Sequence, residues 1–193
     1  MAEVVAETAR VRLRTWDEDD ELHFYDLMNT PAVMQFLGGL QSREEWNAAF
    51  NRLKTYVQDF GFTFWIVERR EDEEILGFCG LKRANAPGAD AIAGEVEIGW
   101  RLREDAWGKG YAKEAAVASL DLAFDRFGAD RVVAVTAARN LPSQGLMKRL
   151  GMARREEFDF VDQRFPPESE INPQVVFTVD QQDWRRIRKE RFV

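Results

Sequence analysis

Hydrophobic and polar residues alternate along several short segments of the chain with the period of two that is typical of half-buried β-strands. The clearest case is the segment 10–15, in which Val11 and Leu13 alternate with arginines. The continuous apolar run 132–138 is typical of a fully buried strand. Similar patterns of β-branched and aromatic residues occur in segments 62–69, 75–81, 95–100, 154–160 and 175–179. The pattern therefore predicts about seven strands.

Other segments place apolar residues at helical spacing. Ser42 stands three residues before Glu45, which is the spacing of a capping box, so we predict a helix that ends near Gly61. Pro31 predicts a short helical turn, and a basic helix is expected after Asp180. Helical spacing is also seen at Leu22, Tyr25 and Met28, at Trp46, Phe50, Leu53 and Val57, at Ala112, Ala116, Leu120, Ala123 and Phe127, and in the segment 143–150.

The order of these elements predicts a single mixed α/β (α+β) domain over residues 1–193. The strand 95–100, the helix that follows Gly110 and the strand 132–138 form a strand–helix–strand unit. No shift in composition marks a domain boundary, because the one long polar loop falls inside the last predicted hairpin. We therefore expect one central sheet.

Charge and composition exclude several classes of function. The 27 Lys and Arg residues against 34 Asp and Glu residues leave a net charge of −7, which repels a nucleic-acid backbone. One Cys and one His supply neither an internal disulfide nor a zinc tetrad. No segment reaches the roughly 18 apolar residues of a membrane span, and the first residues do not resemble a signal peptide. We expect a cytoplasmic protein without metal, membrane or nucleic-acid partners.

The most informative segment is Trp107-Gly108-Lys109-Gly110-Tyr111-Ala112, between a predicted strand and the helix after it. Glycines let backbone amides approach an anion, and a helix N-terminus adds partial positive charge. The segment is therefore a candidate phosphate site, although a plain tight turn before a helix has the same composition. The spacings of a Walker loop and of a dinucleotide fingerprint are both absent.

Two carboxylates precede this loop on one strand. Glu95 and Glu97 lie on one face of the strand, while Val96 and Ile98 lie on the other. Both carboxylates can therefore face a cleft, and the alternative is that both lie on a solvated face of the sheet.

Taken together, the order of elements and the residue pattern of segment 95–152 resemble those of the GNAT superfamily of acetyl-CoA-dependent N-acyltransferases. The resemblance is closest to its ribosomal-protein-alanine N-acetyltransferase branch and runs from about Arg10 to Trp184. The family loop reads Gln or Arg, two residues, Gly, any residue, then Gly or Ala, and this chain fits it with Trp107 in first place. Flanking matches are Val96-Glu97-Ile98-Gly99-Trp100, Arg139-Asn140-Leu141-Pro142-Ser143 and Lys148-Arg149-Leu150-Gly151-Met152.

The resemblance implies a mostly antiparallel sheet that is splayed between its fourth and fifth strands, with helices on both faces. It implies that acetyl-CoA binds as co-substrate, with its diphosphate on the loop Trp107, Gly108, Lys109, Gly110, Tyr111 and Ala112. The backbone of Ile98, Gly99, Trp100, Arg101 and Leu102 would pair with the pantetheine arm and hold the thioester oxygen. Asn140 and Ser143 would face the coenzyme.

By the same resemblance, Glu97 is the base that deprotonates the acceptor, with Glu95 as the second candidate. The family tyrosine that often acts as the acid is replaced by Met147. Ser143 can stand in for it, or can simply be a serine in the first turn of a helix. The resemblance implies direct transfer through a ternary complex, without a metal or a covalent acyl-enzyme.

The acceptor implied by the family is a primary amine, either a protein N-terminus or a small molecule. The acceptor loops would be segments 30–41 and 162–173, and the net acidity favours a cationic acceptor. The alternative is a non-catalytic acyl-CoA-binding sensor in which Met147 reflects lost catalysis. Both a monomer and a homodimer are compatible with the sequence.

Overall fold

The computed structural model describes residues 2–17 and 19–192. The side chains of Leu22 and Lys54 lie outside the description. None of the described helices is both long enough and apolar enough to cross a membrane. The strands are β1 (Val4–Glu7), β2 (Val11–Arg14), β3 (Phe64–Arg69), β4 (Ile75–Arg83), β5 (Val96–Leu102), β6 (Arg131–Ala137), β7 (Ala153–Arg154) and β8 (Gln174–Asp180). The α-helices are α1 (Asp20–Met28), α2 (Pro31–Met34), α3 (Arg43–Phe60), α4 (Tyr111–Asp121), α5 (Leu141–Arg149) and α6 (Gln181–Arg191).

The strands hydrogen-bond in the order β1-β2-β3-β4-β5-β6-β8-β7. Antiparallel pairing joins β1 to β2, β2 to β3, β3 to β4, β6 to β8 and β7 to β8. The strands β5 and β6 are parallel and pair over a short stretch, with Val96 opposite Val132 and Glu97 opposite Val133. A mixed, mostly antiparallel sheet with helices confirms the predicted fold class.

The strand count differs from the prediction, because the sheet has eight strands rather than seven. The additional strand β1 precedes the first predicted one and pairs with it. The predicted strand 154–160 is wrong: β7 covers only Ala153–Arg154, and Glu156–Phe158 forms a 3-10 turn. The carboxylate of Asp159 accepts a hydrogen bond from the backbone N–H of Val176 at 3.2 Å. A side chain thus occupies a position on β8 where a continued strand would pair.

The chain folds as two compact units. The first contains residues up to Lys82 together with Gly99–Ala118, and the second contains Arg83–Ile98 together with the residues from Ser119 onward. The chain passes from the second unit to the first inside β5. Our expectation of a single domain over residues 1–193 remains a prediction.

Each unit has its own buried apolar cluster. In the first unit the cluster joins α1, α2, α3, β3 and β4 through Phe24, Met28, Val33, Met34, Trp46, Ile66 and Phe78. In the second unit it contains Ala84, Ala89, Ile92, Val133, Phe160 and Val176. Removing these side chains from water is the main driving force that holds each unit together.

The capping box predicted before α3 is present. The Ser42 hydroxyl accepts a hydrogen bond from the Glu45 N–H at 3.2 Å, and the Glu45 carboxylate accepts one from the Ser42 N–H at 2.8 Å. Gly61 ends the helix with a φ of 74°. Both helix ends are therefore specified by local sequence.

A buried network of charges ties β2 to β3 and α1. Arg14 donates two hydrogen bonds to the Asp20 carboxylate, at 2.7 and 2.9 Å, and one to Glu68 at 2.6 Å. Arg12 donates to the other oxygen of Glu68 at 2.9 Å. The network satisfies these charges inside the first unit, where an unpaired one would be costly.

Glu68→Gln should lower the free energy of unfolding by about 2 kcal/mol or more, because two guanidinium groups lose a buried anionic acceptor. Urea unfolding measures this. The matched control is Glu190→Gln, which alters an exposed pair with Arg186 at 3.7 Å and should change stability by less than about 0.5 kcal/mol. Equal losses in the two variants would contradict a stabilising role for the network.

Candidate functional site

The loop that follows β5 is shaped by two glycines. After Leu102 the chain makes a 3-10 turn, and Gly108 and Gly110 then adopt φ angles of 71° and 85°. These angles lie in the left-handed region, which glycine enters without steric cost. The Gly110 carbonyl accepts a hydrogen bond from the Glu114 N–H at 3.1 Å, so α4 starts directly after the second glycine. The first-turn amides of α4 therefore project from this loop, as an anion site at a helix N-terminus requires.

Side chains fix the path of the loop. The indole N–H of Trp107 donates to the Leu102 carbonyl at 2.7 Å, although half of the residue is exposed. Arg103 donates to both carboxylate oxygens of Asp105, at 2.6 and 2.7 Å, and this hydrogen bonding lowers the pKa of Asp105 below its ordinary value. Trp107 thus has a structural contact in addition to its place in the family motif.

The contact that anchors the start of α4 was not predicted from the sequence. The Glu114 carboxylate accepts hydrogen bonds from the Thr8 hydroxyl at 2.6 Å and from the backbone N–H and the Nε of Arg10, at 2.7 and 2.8 Å. Partial burial raises the pKa of Glu114, but these hydrogen bonds outweigh burial and leave it below the ordinary value. Arg10 also donates to the Lys109 carbonyl at 3.0 Å. No local pattern signals this contact, because its partners are 104 residues apart in sequence.

A cavity of about 400 Å³ borders the first residue of α4. Its lining is rich in arginine and contains Ala9, Arg10, Arg12, Arg69, Arg70, Glu71 and Tyr111. The guanidinium of Arg10 stacks over the Tyr111 ring at 4.9 Å. Each of these arginines is ion-paired: Arg10 with Glu114, Arg12 with Glu68, Arg69 with Asp72 and Arg70 with Glu7.

The two faces of β5 have different roles. Val96, Ile98 and Leu102 are buried, whereas the alternating residues Glu97 and Arg101 keep partial exposure. Gly99 is required on the second face, because a Cβ there would lie 2.9 Å from the Phe64 ring. Trp100 is partly exposed as well.

The two candidate bases have different environments. Arg131 donates to both carboxylate oxygens of Glu95, one of them at 3.1 Å from Nε, and its guanidinium also lies over the Phe158 ring. Glu97 is partly exposed and lies within Coulombic reach of Arg164, whose own hydrogen-bonding partner is Asp162. The Glu95 carboxylate is therefore committed to an ion pair within the second unit.

At the start of α5 the capping residue is Asn140. Its side-chain oxygen accepts a hydrogen bond from the Ser143 N–H at 3.2 Å. Ser143 is partly exposed and lies in the first turn rather than at the cap. Met147 is 1% exposed, so a buried thioether stands where many family members carry a tyrosine.

The predicted site residues divide between the two units. Gly99 to Leu102 and Trp107 to Ala112 belong to the first, while Glu95, Glu97, Ile98, Asn140 and Ser143 belong to the second. Across residues 2–17 and 19–192, His, Cys, Asp and Glu form no group of three or more that is arranged to hold a metal ion.

Comparison with known proteins identifies the family of this chain. A family model described as an acetyltransferase (GNAT) domain matches residues 10–153, which include β5, the glycine loop and α5. The chain belongs to the GNAT acetyltransferase family. GNAT acetyltransferases use acetyl-CoA as the acyl donor, so the resemblance found in the sequence is confirmed at the level of family and enzyme class.

Relatives and solved structures place this GNAT chain among acetyltransferases. The uncharacterized N-acetyltransferase YnaD of Bacillus subtilis is 31% identical over 154 residues, which cover 78% of this chain and 83% of YnaD. The crystal structure of an acetyltransferase from Agrobacterium tumefaciens matches with a TM-score of 0.72 at 25% identity, covering 91% of this chain and 94% of that chain. RimL, a ribosomal L7/L12 alpha-N-protein acetyltransferase, shares the fold, with a TM-score of 0.72 at 16% identity, covering 93% of this chain and 95% of RimL.

Glu114→Gln should lower the free energy of unfolding by about 1 to 2 kcal/mol at pH 7, because charge-assisted hydrogen bonds to Arg10 and Thr8 become neutral ones. The folded-state pKa of Glu114 lies below its unfolded value. Its contribution is therefore present above about pH 4.5 and is lost as the pH falls through the folded-state pKa. Urea unfolding from pH 7 to pH 3.5 should show a constant gap between wild type and variant down to about pH 5, which then narrows. A gap that widens on acidification would contradict this anchoring role.

Proposed function

We propose that this chain transfers the acetyl group of acetyl-CoA directly to a primary amine of its acceptor. The observation that carries the proposal is the glycine loop at the N-terminus of α4, directly after the strand that bears Glu97. Family membership supports acetyl-CoA as the donor. The amine as acceptor follows from the resemblance to N-acyltransferases, and the residue roles combine that resemblance with the contacts described above.

In this proposal the loop residues 107–112 hold the diphosphate of the coenzyme. Gly108 and Gly110 let backbone amides approach an anion closely, and the first turn of α4 adds partial positive charge. The backbone of residues 98–102 is assigned to the pantetheine arm and the thioester oxygen, and Asn140 and Ser143 are assigned to coenzyme contacts.

Glu97 is the proposed general base. An attacking amine must lose a proton, and a carboxylate within hydrogen-bond reach can accept it directly or through water. Glu95 is less suited, because both of its carboxylate oxygens accept hydrogen bonds from Arg131. The ion pair with Arg131 thus supports Glu97, rather than Glu95, as the base.

The leaving thiolate needs less assistance than the amine. The Met147 side chain has no proton to donate, and it is buried. The hydroxyl of Ser143 is the proposed donor, in the first turn of α5. Because a thiol ionises near pH 8.5, transfer near neutral pH does not depend strongly on this donor.

Glu97→Gln should lower kcat by roughly 10²- to 10⁴-fold while acetyl-CoA affinity stays close to that of wild type, because the substitution removes a proton acceptor but not the donor loop. Release of coenzyme A thiol with a panel of amines and N-terminal peptides measures kcat, and calorimetry measures donor affinity. The matched control is Glu95→Gln, which should cost less than about 10-fold because it alters an ion pair rather than the base.

The outcomes separate the competing assignments. A larger loss for Glu95→Gln than for Glu97→Gln would assign the base to Glu95. Wild-type protein that binds acetyl-CoA but releases no thiol with any amine would support the sensor alternative.

A further inference from the structure

A guanidinium lies inside the aromatic cluster of the first unit. The Cζ of Arg101, on β5, is 5.2 Å from the ring centroid of Phe78 and 5.9 Å from that of Trp46. Its Nη1 lies 3.7 Å from the sulfur of Met34. Arg101 itself keeps partial solvent exposure, whereas Trp46 is 4% exposed.

Two donors in this cluster have no acceptor. The Nε of Arg101 and the indole Nε1 of Trp46 are both buried without a hydrogen-bond partner. In the part of the chain that the structure describes, Arg101 forms no ion pair, and burial is the cause that lowers its pKa to about 10. By contrast, Arg14, which also keeps partial exposure, is paired with two carboxylates.

An unpaired charge of this kind is costly for the folded protein. The free-energy cost of desolvating a guanidinium is offset fully only by an anion in good hydrogen-bonding geometry. Contact with aromatic faces offsets part of this cost. A chain with 34 acidic residues has many ways to supply a carboxylate partner. The arrangement is therefore typical of a site whose anion arrives with a ligand.

Arg101 lies on the same face of its strand as the proposed base. Side chains alternate along β5, so Glu97, Gly99 and Arg101 share one face and the buried Ile98 and Leu102 share the other. The Arg101 side chain contacts Met34 of α2 and Trp46 of α3.

We propose that the Arg101 guanidinium and the Trp46 indole N–H bind a carboxylate carried by the amine acceptor. This inference rests on the proposed transfer to an amine and specifies the acceptor class. A planar guanidinium matches the two oxygens of a carboxylate, and one neutral indole donor beside it suits a singly charged anion. The net charge of the whole chain led us to expect a cationic acceptor, but this local site favours an anionic group next to the amine.

Competition between matched acceptors tests the proposal. One arm compares 4-aminobutyrate with its carboxamide, and the other compares tripeptides that carry Asp or Asn at the second position, so small-molecule and peptide carboxylates are distinguished. For at least one arm, the kcat/KM ratio of carboxylate over amide should fall by roughly 10- to 100-fold in Arg101→Gln relative to wild type. Intrinsic differences between the amines cancel in this comparison. The matched control Arg52→Gln changes an exposed arginine on α3 and should keep the wild-type ratio.

Stability separates ligand binding from a purely structural role. Arg101→Met replaces the buried charge with an apolar side chain, so its melting temperature should equal or exceed that of wild type while carboxylate selectivity is lost. A clear fall in melting temperature with unchanged selectivity would overturn the proposal and make Arg101 a structural residue.

Binding can also be measured without turnover. The indole ¹⁵N–H resonance of Trp46, assigned with Trp46→Phe, should shift on titration with N-acetyl-4-aminobutyrate or the N-acetylated Asp tripeptide and should not shift with the corresponding amides. Equal responses to carboxylates and amides would overturn the proposal. If no amine is acetylated but the carboxylate shifts the resonance, the proposed function fails while the anion site stands. Thiol release without carboxylate selectivity overturns only the anion site.

Discussion

The alternation of side chains along β5 determines both how this strand packs and where its functional residues lie. One face of this strand must bury Val96, Ile98 and Leu102, which fixes the direction of every other side chain on it. Glu97 and Arg101 thereby share the opposite face with Gly99, where the Phe64 ring leaves no room for a Cβ. A register shift of one residue would move the Glu97 carboxylate to the face that buries Ile98 and expose the apolar set. The register that buries the apolar face of β5 therefore also places Glu97 and Arg101 on the opposite face.

The glycine loop depends on a second constraint at the end of the same strand. The chain must turn from Leu102 into α4 through two residues with positive φ, and the turn is fastened by side chains on both sides. Trp107 reaches back to the strand, and Glu114 holds Arg10 and Thr8 from the β1–β2 turn. The helix N-terminus is thus held in place before any ligand arrives, which lowers the ordering cost of binding an anion there.

Local signals were predictable from sequence, and long-range ones were not. The capping box of α3 and the chain reversal at Gly110 depend on residues within a few positions of each other, so their patterns are visible in the chain itself. The Asp159 side chain accepts a hydrogen bond from the backbone N–H of Val176, 17 positions away, in place of strand pairing. Most of the predicted strand 154–160 is therefore not formed. The same holds for function: the family resemblance ranked Glu97 before Glu95, but the ion pair of Glu95 with Arg131, 36 positions away, was not visible in the sequence. That Arg101 has no ion-pair partner among the described residues could not be predicted from a sequence pattern, because it depends on which side chains pack around it in the fold.

Calorimetric titration of acetyl-CoA into wild-type protein, Gly110→Glu and Gly61→Glu shows whether the glycine loop binds the donor. Both glycines have positive φ, with values of 85° and 74°, so backbone strain is matched, but only Gly110 belongs to the donor loop. We expect wild type and folded Gly61→Glu to bind acetyl-CoA saturably. Gly110→Glu should lose this binding, because its carboxylate would repel the diphosphate. Folded wild-type protein that binds no acetyl-CoA, or Gly110→Glu that binds it as tightly as wild type, would contradict the assignment of this loop.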